Sequence, residues 1–330
     1  MKYLVFLMIA ATLGLAGCSG GEKATGGSGN DSLQIAVIPK GTTHEFWKSI
    51  HAGAEAAAKE LGGVEIIWKG GLKEDDLESQ IKVVEDFTTR KVDGLCLAPL
   101  DDTAMRVPVS DAQKAGIPVL IFDSGIKEVE PVSFVATDNF AGGKKAGERL
   151  AQLLGGKGKV VMLRYQEGSA STHEREEGFL EAIHAAPGIE IISDNQYGGA
   201  TTESAIKASE NILARFKNPD GTLQFDGIYC PNESTTSGML RTLQDAGFAG
   251  KVKFIGFDSS PKLVDGLKSG EINALILQDP YRIGYESVKT IVAKIKGESV
   301  EARIDTGSTV VDKSNMDQPD IAKLVSPPKI

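Results

Sequence analysis

Cysteine is scarce in this chain. Three occur in 330 residues, at positions 18, 96 and 230. One distant pair makes no disulfide framework, and the spacing is not that of a zinc site. Cys96 in LCLAP and Cys230 in IYCPN fall in apolar runs, where a buried free thiol is expected. Histidine-based metal motifs are missing too. His-Glu occurs at 44–45 and 173–174, but the residue four positions after each histidine is Lys48 or Glu177, which excludes the HExxH arrangement. There is no GxxxxGK[ST] loop, no GxGxxG after the first apolar run and no GxSxG elbow between an expected strand and helix. No cofactor or metal is therefore called for, and nucleotide, dinucleotide and serine-hydrolase chemistry lose their usual signatures. An excess of basic charge is also lacking. The formal net charge is −9, which argues against a nucleic-acid partner. Long hydrophobic runs are absent: the stretch from Tyr3 to Leu13 is about 11 residues, well short of the roughly 20 that span a bilayer.

That short stretch has a different meaning. Lys2 precedes it and small residues follow, the pattern of a secretion leader over 1–17. Its end, Leu15-Ala16-Gly17-Cys18, resembles the lipobox of bacterial lipoproteins. The resemblance implies that Cys18 becomes the lipidated first residue of a periplasmic or cell-surface protein held to the membrane by its acyl chains. Residues 18–32 then form the lipidated cysteine and a tether, with five glycines in SGGEKATGGSGNDS and a reach of roughly 20 Å. Folded structure is expected from about Leu33.

The remaining 300 or so residues suffice for two cores. They alternate β-branched apolar runs with amphipathic helical stretches. QIAVI, VEIIW, GLCLAP and IPVLIF read as strands, separated by helices over Phe46 to Leu61, Asp75 to Arg90 and Thr103 to Ala115. The pattern then restarts. VSFVAT, GKVVML, IEIIS, FDGIYC, KVKFIGF and EINALIL are strands, with helices over Phe140 to Leu154, Thr172 to Ala185, Glu203 to Arg215, Ser234 to Ala246 and Pro261 to Ser269. A last helix spans Tyr281 to Lys296. Such alternation predicts an α/β chain with parallel sheets, as two Rossmann-like units in tandem. Each unit contains an apolar run ending in Phe-Asp-Ser: VLIFDSG at 119–125 and FIGFDSS at 254–260. Ligands of open parallel sheets bind outside the carboxyl ends of the strands. Asp123 and Asp258 are thus expected to enter one cleft from opposite sides.

At this point the chain resembles the periplasmic sugar-binding proteins of the ribose-binding type, which feed ABC importers. The likeness runs over most of 33–315, through IAVIPKGTTHEFWKSIHAGAEAAAKELG, IPVLIFDSG, VATDNFAGGKKAGERLA, HEREEGF, PNESTTSGMLRTLQDAG, VKFIGFDSSP and INALILQDPYRIG. It implies a type I periplasmic binding protein: two lobes joined by a three-crossover hinge. The first lobe would be 33–137 with 279–305, and the second 138–278 with 306–330. Hinges would lie near Thr137-Asp138, Gln278-Asp279 and Ile304 to Gly307. The ligand-binding residues it implies are Lys40, His44, Phe46 and Trp47 after the first strand, Asp123 and Ser124 after the fourth, Arg175 in HEREEGF, Asn232, Asp258 and Gln278. His173 replaces the first arginine of the family's RER-like segment, and Ser124 stands where many ribose-type members have arginine, which points away from ribose itself. Tyr197 is a further candidate aromatic.

These residue types suit a sugar. Ionised aspartate accepts from neighbouring hydroxyls, arginine donates a fork, and asparagine or glutamine does one of each. Aromatic faces pack against ring C–H groups. The expected partners are a monosaccharide, an ABC permease with its ATPase subunits and the membrane that holds the anchor, with the protein itself a monomer. Two alternatives stay open. The same fold could present a sugar, or an autoinducer-2-type signal, to a membrane receptor. Asp123 and Asp258 could also be the acid and base of a glycosidase.

Overall fold

A computed structural model describes residues 32–330. The leader, Cys18 and nearly all of the tether lie outside the described residues.

The first sheet begins with β1 (Leu33–Ile38), followed by α1 (Glu45–Leu61), β2 (Val64–Trp68), α2 (Leu77–Arg90), β3 (Gly94–Leu97), α3 (Arg106–Lys114), β4 (Val119–Phe122) and β5 (Phe134–Ala136). The second half runs through α4 (Asn139–Leu153), β6 (Lys157–Arg164), α5 (Ala170–His184), β7 (Gly188–Tyr197), α6 (Thr202–Arg215), β8 (Gly227–Tyr229), α7 (Glu233–Asp245), β9 (Lys253–Phe257), α8 (Pro261–Ser269) and β10 (Ala274–Gln278). The chain ends with α9 (Pro280–Ile295), β11 (Arg303–Asp305), β12 (Ser308–Val311) and α10 (Pro319–Val325).

Strand order is β11-β5-β4-β3-β1-β2 in one sheet and β12-β10-β9-β8-β6-β7 in the other. The two orders are the same once each half is counted from its own first strand. All neighbouring strands are parallel except β12, which runs antiparallel to β10. Parallel strands covered on both faces must be apolar throughout. VLIF in β4 and ALILQ in β10 are buried at every residue. Each sheet accordingly separates two apolar clusters, one per face.

Three connections pass between the sheets: Thr137-Asp138 between β5 and α4, Asp279 between β10 and α9, and Thr306-Gly307 between β11 and β12. The first and the third are tied to each other. Asp305 accepts from the N–H groups of Asp138 (3.0 Å) and Gly307 (2.8 Å), and Thr137 Oγ1 donates to the Gly307 carbonyl (3.1 Å).

Most helix starts carry their own caps. Asp76, Asp138, Asn232, Ser260 and Asp279 each accept from an N–H of the first turn. Asp258 therefore does not cap α8; Ser260 does, with Pro261 at the first helical position. One expected helix starts late. Asp101 accepts from the N–H groups of Thr103 and Ala104, which holds those residues in a turn, and α3 begins only at Arg106. IEIIS is longer than expected and continues as β7 to Tyr197.

Candidate functional site

The connections at the carboxyl ends of both sheets meet in one cleft. Asp123 follows β4 and Asp258 follows β9, the fourth strand of its half in each case. Both hold left-handed backbone, at φ 59° and 67°. Both donate their own N–H to the next strand, Asp123 to Val135 and Asp258 to Ile276, each at 2.9 Å. The two Phe-Asp-Ser segments are thus one structural device used twice, and it turns each carboxylate off its strand end toward the other sheet.

From the first sheet, Lys40 ends the β1 loop. Its ammonium lies 3.6 Å from Asp123 Oδ2 and donates to Ser169 Oγ (3.0 Å) and Ser171 Oγ (3.1 Å) of the opposite lobe. Gln80 braces this floor: its amide donates to the carbonyls of Pro39 and Ala98 and accepts from the Leu100 N–H. The first turn of α1 carries Phe46 and Trp47, packed edge to face at 4.9 Å. His44 precedes that turn and points its imidazole at Glu74, 2.6 Å away.

From the second sheet comes Arg175 on α5. Although its neighbours in HEREEGF are mostly charged, Arg175 is buried. It donates to Asn139 Oδ1 (2.9 Å) and the Pro231 carbonyl (3.0 Å) and lies over the Phe257 ring at 4.0 Å. Its Nη2 sits 4.0 Å from Asp123 across the cleft. Gln278 Nε2 donates to Asp258 Oδ1 at 2.7 Å, and the Glu233 N–H donates to Asp258 Oδ2 at 3.0 Å.

Lys40, His44, Phe46, Trp47, Asp123, Arg175, Asn232, Asp258 and Gln278 all line the same cavity. Ser124 does not. It is fully buried behind Asp123, where its Oγ accepts from the Ser171 N–H at 3.1 Å. Tyr197 is also outside the cavity, exposed, with the Arg164 guanidinium over its ring. His173, next to Arg175 in sequence, is exposed as well.

Five lining residues were not expected. Glu74, in the acidic run KEDD, has the look of a solvated loop residue, yet it is buried. It accepts from His44, from Trp47 Nε1 (2.5 Å) and from the Tyr165 hydroxyl of the opposite lobe. Tyr165 ends a strand with no motif of its own. Glu233 directly follows Asn232 and opens α7, with no motif of its own. Ser171 and Thr172 at the start of α5 complete the wall.

The electrostatics follow from burial. Desolvation raises Asp123 and Asp258, and the nearby cations oppose it: Lys40 and Arg175 for Asp123, Arg175 for Asp258. Burial likewise lowers Lys40, against the pull of Asp123 and Glu74. Glu74 is held down at about 2 although burial pushes it up, because His44, Tyr165 and Trp47 all favour its ionised form. Burial would lower His44, but Glu74 raises it to about 9. Burial pushes Glu233 up to about 7, against the His44 charge. Two buried lining atoms have no hydrogen-bond partner among the described residues: the donor Arg175 Nη2 and the acceptor Gln278 Oε1. With the lobes in this relation the space between the side chains is about 30 Å³, room for two or three waters. A ring sugar enters such a site only when the lobes part.

Three comparisons bear on this arrangement. A family model described as a periplasmic binding protein domain matches residues 35–299. The ribose import binding protein RbsB of Haemophilus influenzae is 33% identical over 313 residues, 95% of this chain and 100% of that protein. The fold is similar to a carbohydrate-transporter solute-binding protein from Agrobacterium radiobacter solved with D-arabinose: TM-score 0.84, 33% identity, 89% of this chain and 99% of that one. It is also similar to a solute-binding protein from Agrobacterium vitis with bound D-fucose: TM-score 0.83, 34% identity, 88% and 99%. With most of its length matched, the chain belongs to the periplasmic binding protein family.

Proposed function

We propose that this chain captures a monosaccharide between its two lobes and delivers it to an ABC importer. The observation that carries the reading is the pair of unmatched buried atoms, Arg175 Nη2 and Gln278 Oε1, in a cavity otherwise walled by carboxylates, cations and the Phe46–Trp47 pair. A buried polar atom without a partner is costly, and a hydroxyl, being donor and acceptor at once, satisfies either kind. Asp123 and Asp258 then take further hydroxyls from opposite sides. A ligand that touches both lobes stabilises the closed arrangement by its differential affinity, so its capture is a population shift. No bond is made or broken. A relative named as a ribose import binding protein, and neighbours holding arabinose or fucose, support the ligand class.

The same reading places the protein outside the cytoplasm. Cys18 would anchor it to a membrane through lipid, while the body works as a monomer. The membrane permease would recognise the closed form, with the ATPase acting through it.

The test is a thermal-shift screen of pentoses, hexoses and deoxyhexoses, with each mixture analysed afterwards for products. A ligand at 100 times its Kd adds about 2.7 kcal/mol. The expected result is a clear shift with one or a few sugars, which are recovered unchanged. A flat response across the panel, or conversion of a bound sugar into a product, overturns the proposal.

A further inference from the structure

The first turn of α1 is held by the opposite lobe. The four leading N–H groups of a helix need acceptors from outside the helix. His44 stands at the cap position, but its imidazole is turned to Glu74. The acceptor comes from across the cleft. Glu233, the first residue of α7, is buried, and its two carboxylate oxygens accept from the N–H groups of Glu45 (3.3 Å) and Phe46 (3.2 Å). A second tie reaches the same turn. The C-terminal tail is pinned to the second lobe where Ser259 Oγ donates to the carbonyls of Leu324 and Val325, and Lys329 Nζ then reaches Glu45 at 2.7 Å. Tail residues Leu324 and Pro327 wall a second interlobe space beside Phe46 and Asp258.

We propose that Glu233 is a positioning residue, which caps α1 across the cleft, fixes the turn bearing Phe46 and Trp47, and favours lobe closure whether or not a ligand is present. Lys329 is the lesser tie. Both contacts are lost when the lobes separate. A carboxylate at a helix N-terminus is stabilised by the aligned peptide dipoles as well as by its hydrogen bonds. Glu233 also donates its own N–H to Asp258, so the device is coupled directly to a strand-tip carboxylate of the cavity.

The proposal goes beyond sugar capture, and its test uses no sugar, so its failure leaves the reading of the cleft untouched. Protein stripped of small molecules by unfolding and refolding is measured by small-angle X-ray scattering, with far-UV circular dichroism to verify folding. Glu233→Ala is expected to lower the closed-to-open ratio about tenfold or more and to raise the radius of gyration. Glu233→Gln retains an accepting oxygen and should fall between Glu233→Ala and the wild type. Lys329→Ala should expand the molecule less. A residue that merely stabilised its own lobe would lower the melting temperature without moving the radius. If Glu233→Ala, or Glu233→Gln should the alanine variant not fold, scatters like the wild type, the proposal is overturned.

Discussion

Left-handed backbone at Asp123 and Asp258 is a small strain, and both residues keep it because the geometry aims a carboxylate that no extended residue could aim. Alanine tolerates that region less well than aspartate, by about 1 kcal/mol, whereas glycine adopts it freely. Replacing Asp258 therefore separates two effects. Asp258→Ala and Asp258→Gly should both abolish the sugar-induced thermal shift, since both remove the acceptor. The glycine variant should nonetheless melt about 2 °C higher than the alanine variant. An undiminished sugar response in either would remove Asp258 from the site. The Glu74–His44 pair makes a second residue-scale case. Breaking a buried pair strands a charge, and Glu74→Gln should cost about 3 kcal/mol in chemical denaturation. It should also lower the His44 pKa, followed by NMR, from about 9, because the largest opponent of burial is gone and only Glu233 and Asp258 still oppose it. A His44 that still titrated near 9 would mean that Glu74 is not what holds its proton.

At the scale of the element, the α4–α5 contact sets where Arg175 stands. A Cβ on Gly143 would lie 1.9 Å from the Arg175 carbonyl oxygen, so these helices touch backbone to backbone. Gly143→Ala must push α5 away, at about 1–3 kcal/mol, and should weaken sugar affinity by displacing the guanidinium. Isothermal titration beside a denaturation curve checks both; an unaltered Kd would show that the arginine can follow its helix without loss. Much of this layer was legible in the sequence. The strands were long β-branched runs, and the Phe-Asp-Ser repeat marked equivalent strand tips because each is a local signal. Glu74 was not legible, since its burial depends on three donors converging from two lobes and its own neighbours are charged. Ser124 was legible as part of the segment but not in its role, since only the third dimension turns its hydroxyl to the Ser171 N–H and away from the cavity. The tail was assigned to the second lobe, but its strand was not legible, for a related reason. Four residues of antiparallel edge strand, Ser308–Val311, make sense only once β10 is beside them.

For the whole molecule, the cleft ties folding to pH through three groups whose shifts have different signs. Glu74 is lowered from 4.5 to about 2, so its contribution is complete above 4.5 and disappears as pH falls toward 2. His44 is raised from 6.5 to about 9, so its contribution is complete below 6.5 and is lost as pH climbs through 9. Glu233 is raised from 4.5 to about 7; the folded chain keeps a proton there that the unfolded chain gives up, and stability falls as pH climbs from 4.5 through 7. Burial raises Glu233; of the groups that face it, Asp258 adds to that rise, while the His44 imidazolium and the two N–H groups of α1 oppose it. The cleft should therefore contribute most near pH 4.5, where Glu74 is fully ionised and Glu233 still keeps its proton, and progressively less toward pH 9. Melting temperatures measured from pH 3 to 9 at constant ionic strength should trace that asymmetric peak. Glu233→Gln cannot titrate and should flatten the limb between 4.5 and 7 while leaving the decline toward 9, which belongs to His44. Lys40, which burial lowers, acts with the opposite sign at the alkaline end, so the deciding comparison is between variants: a Glu233→Gln profile as steep as the wild type between pH 4.5 and 7 would contradict the assignment of that limb to Glu233.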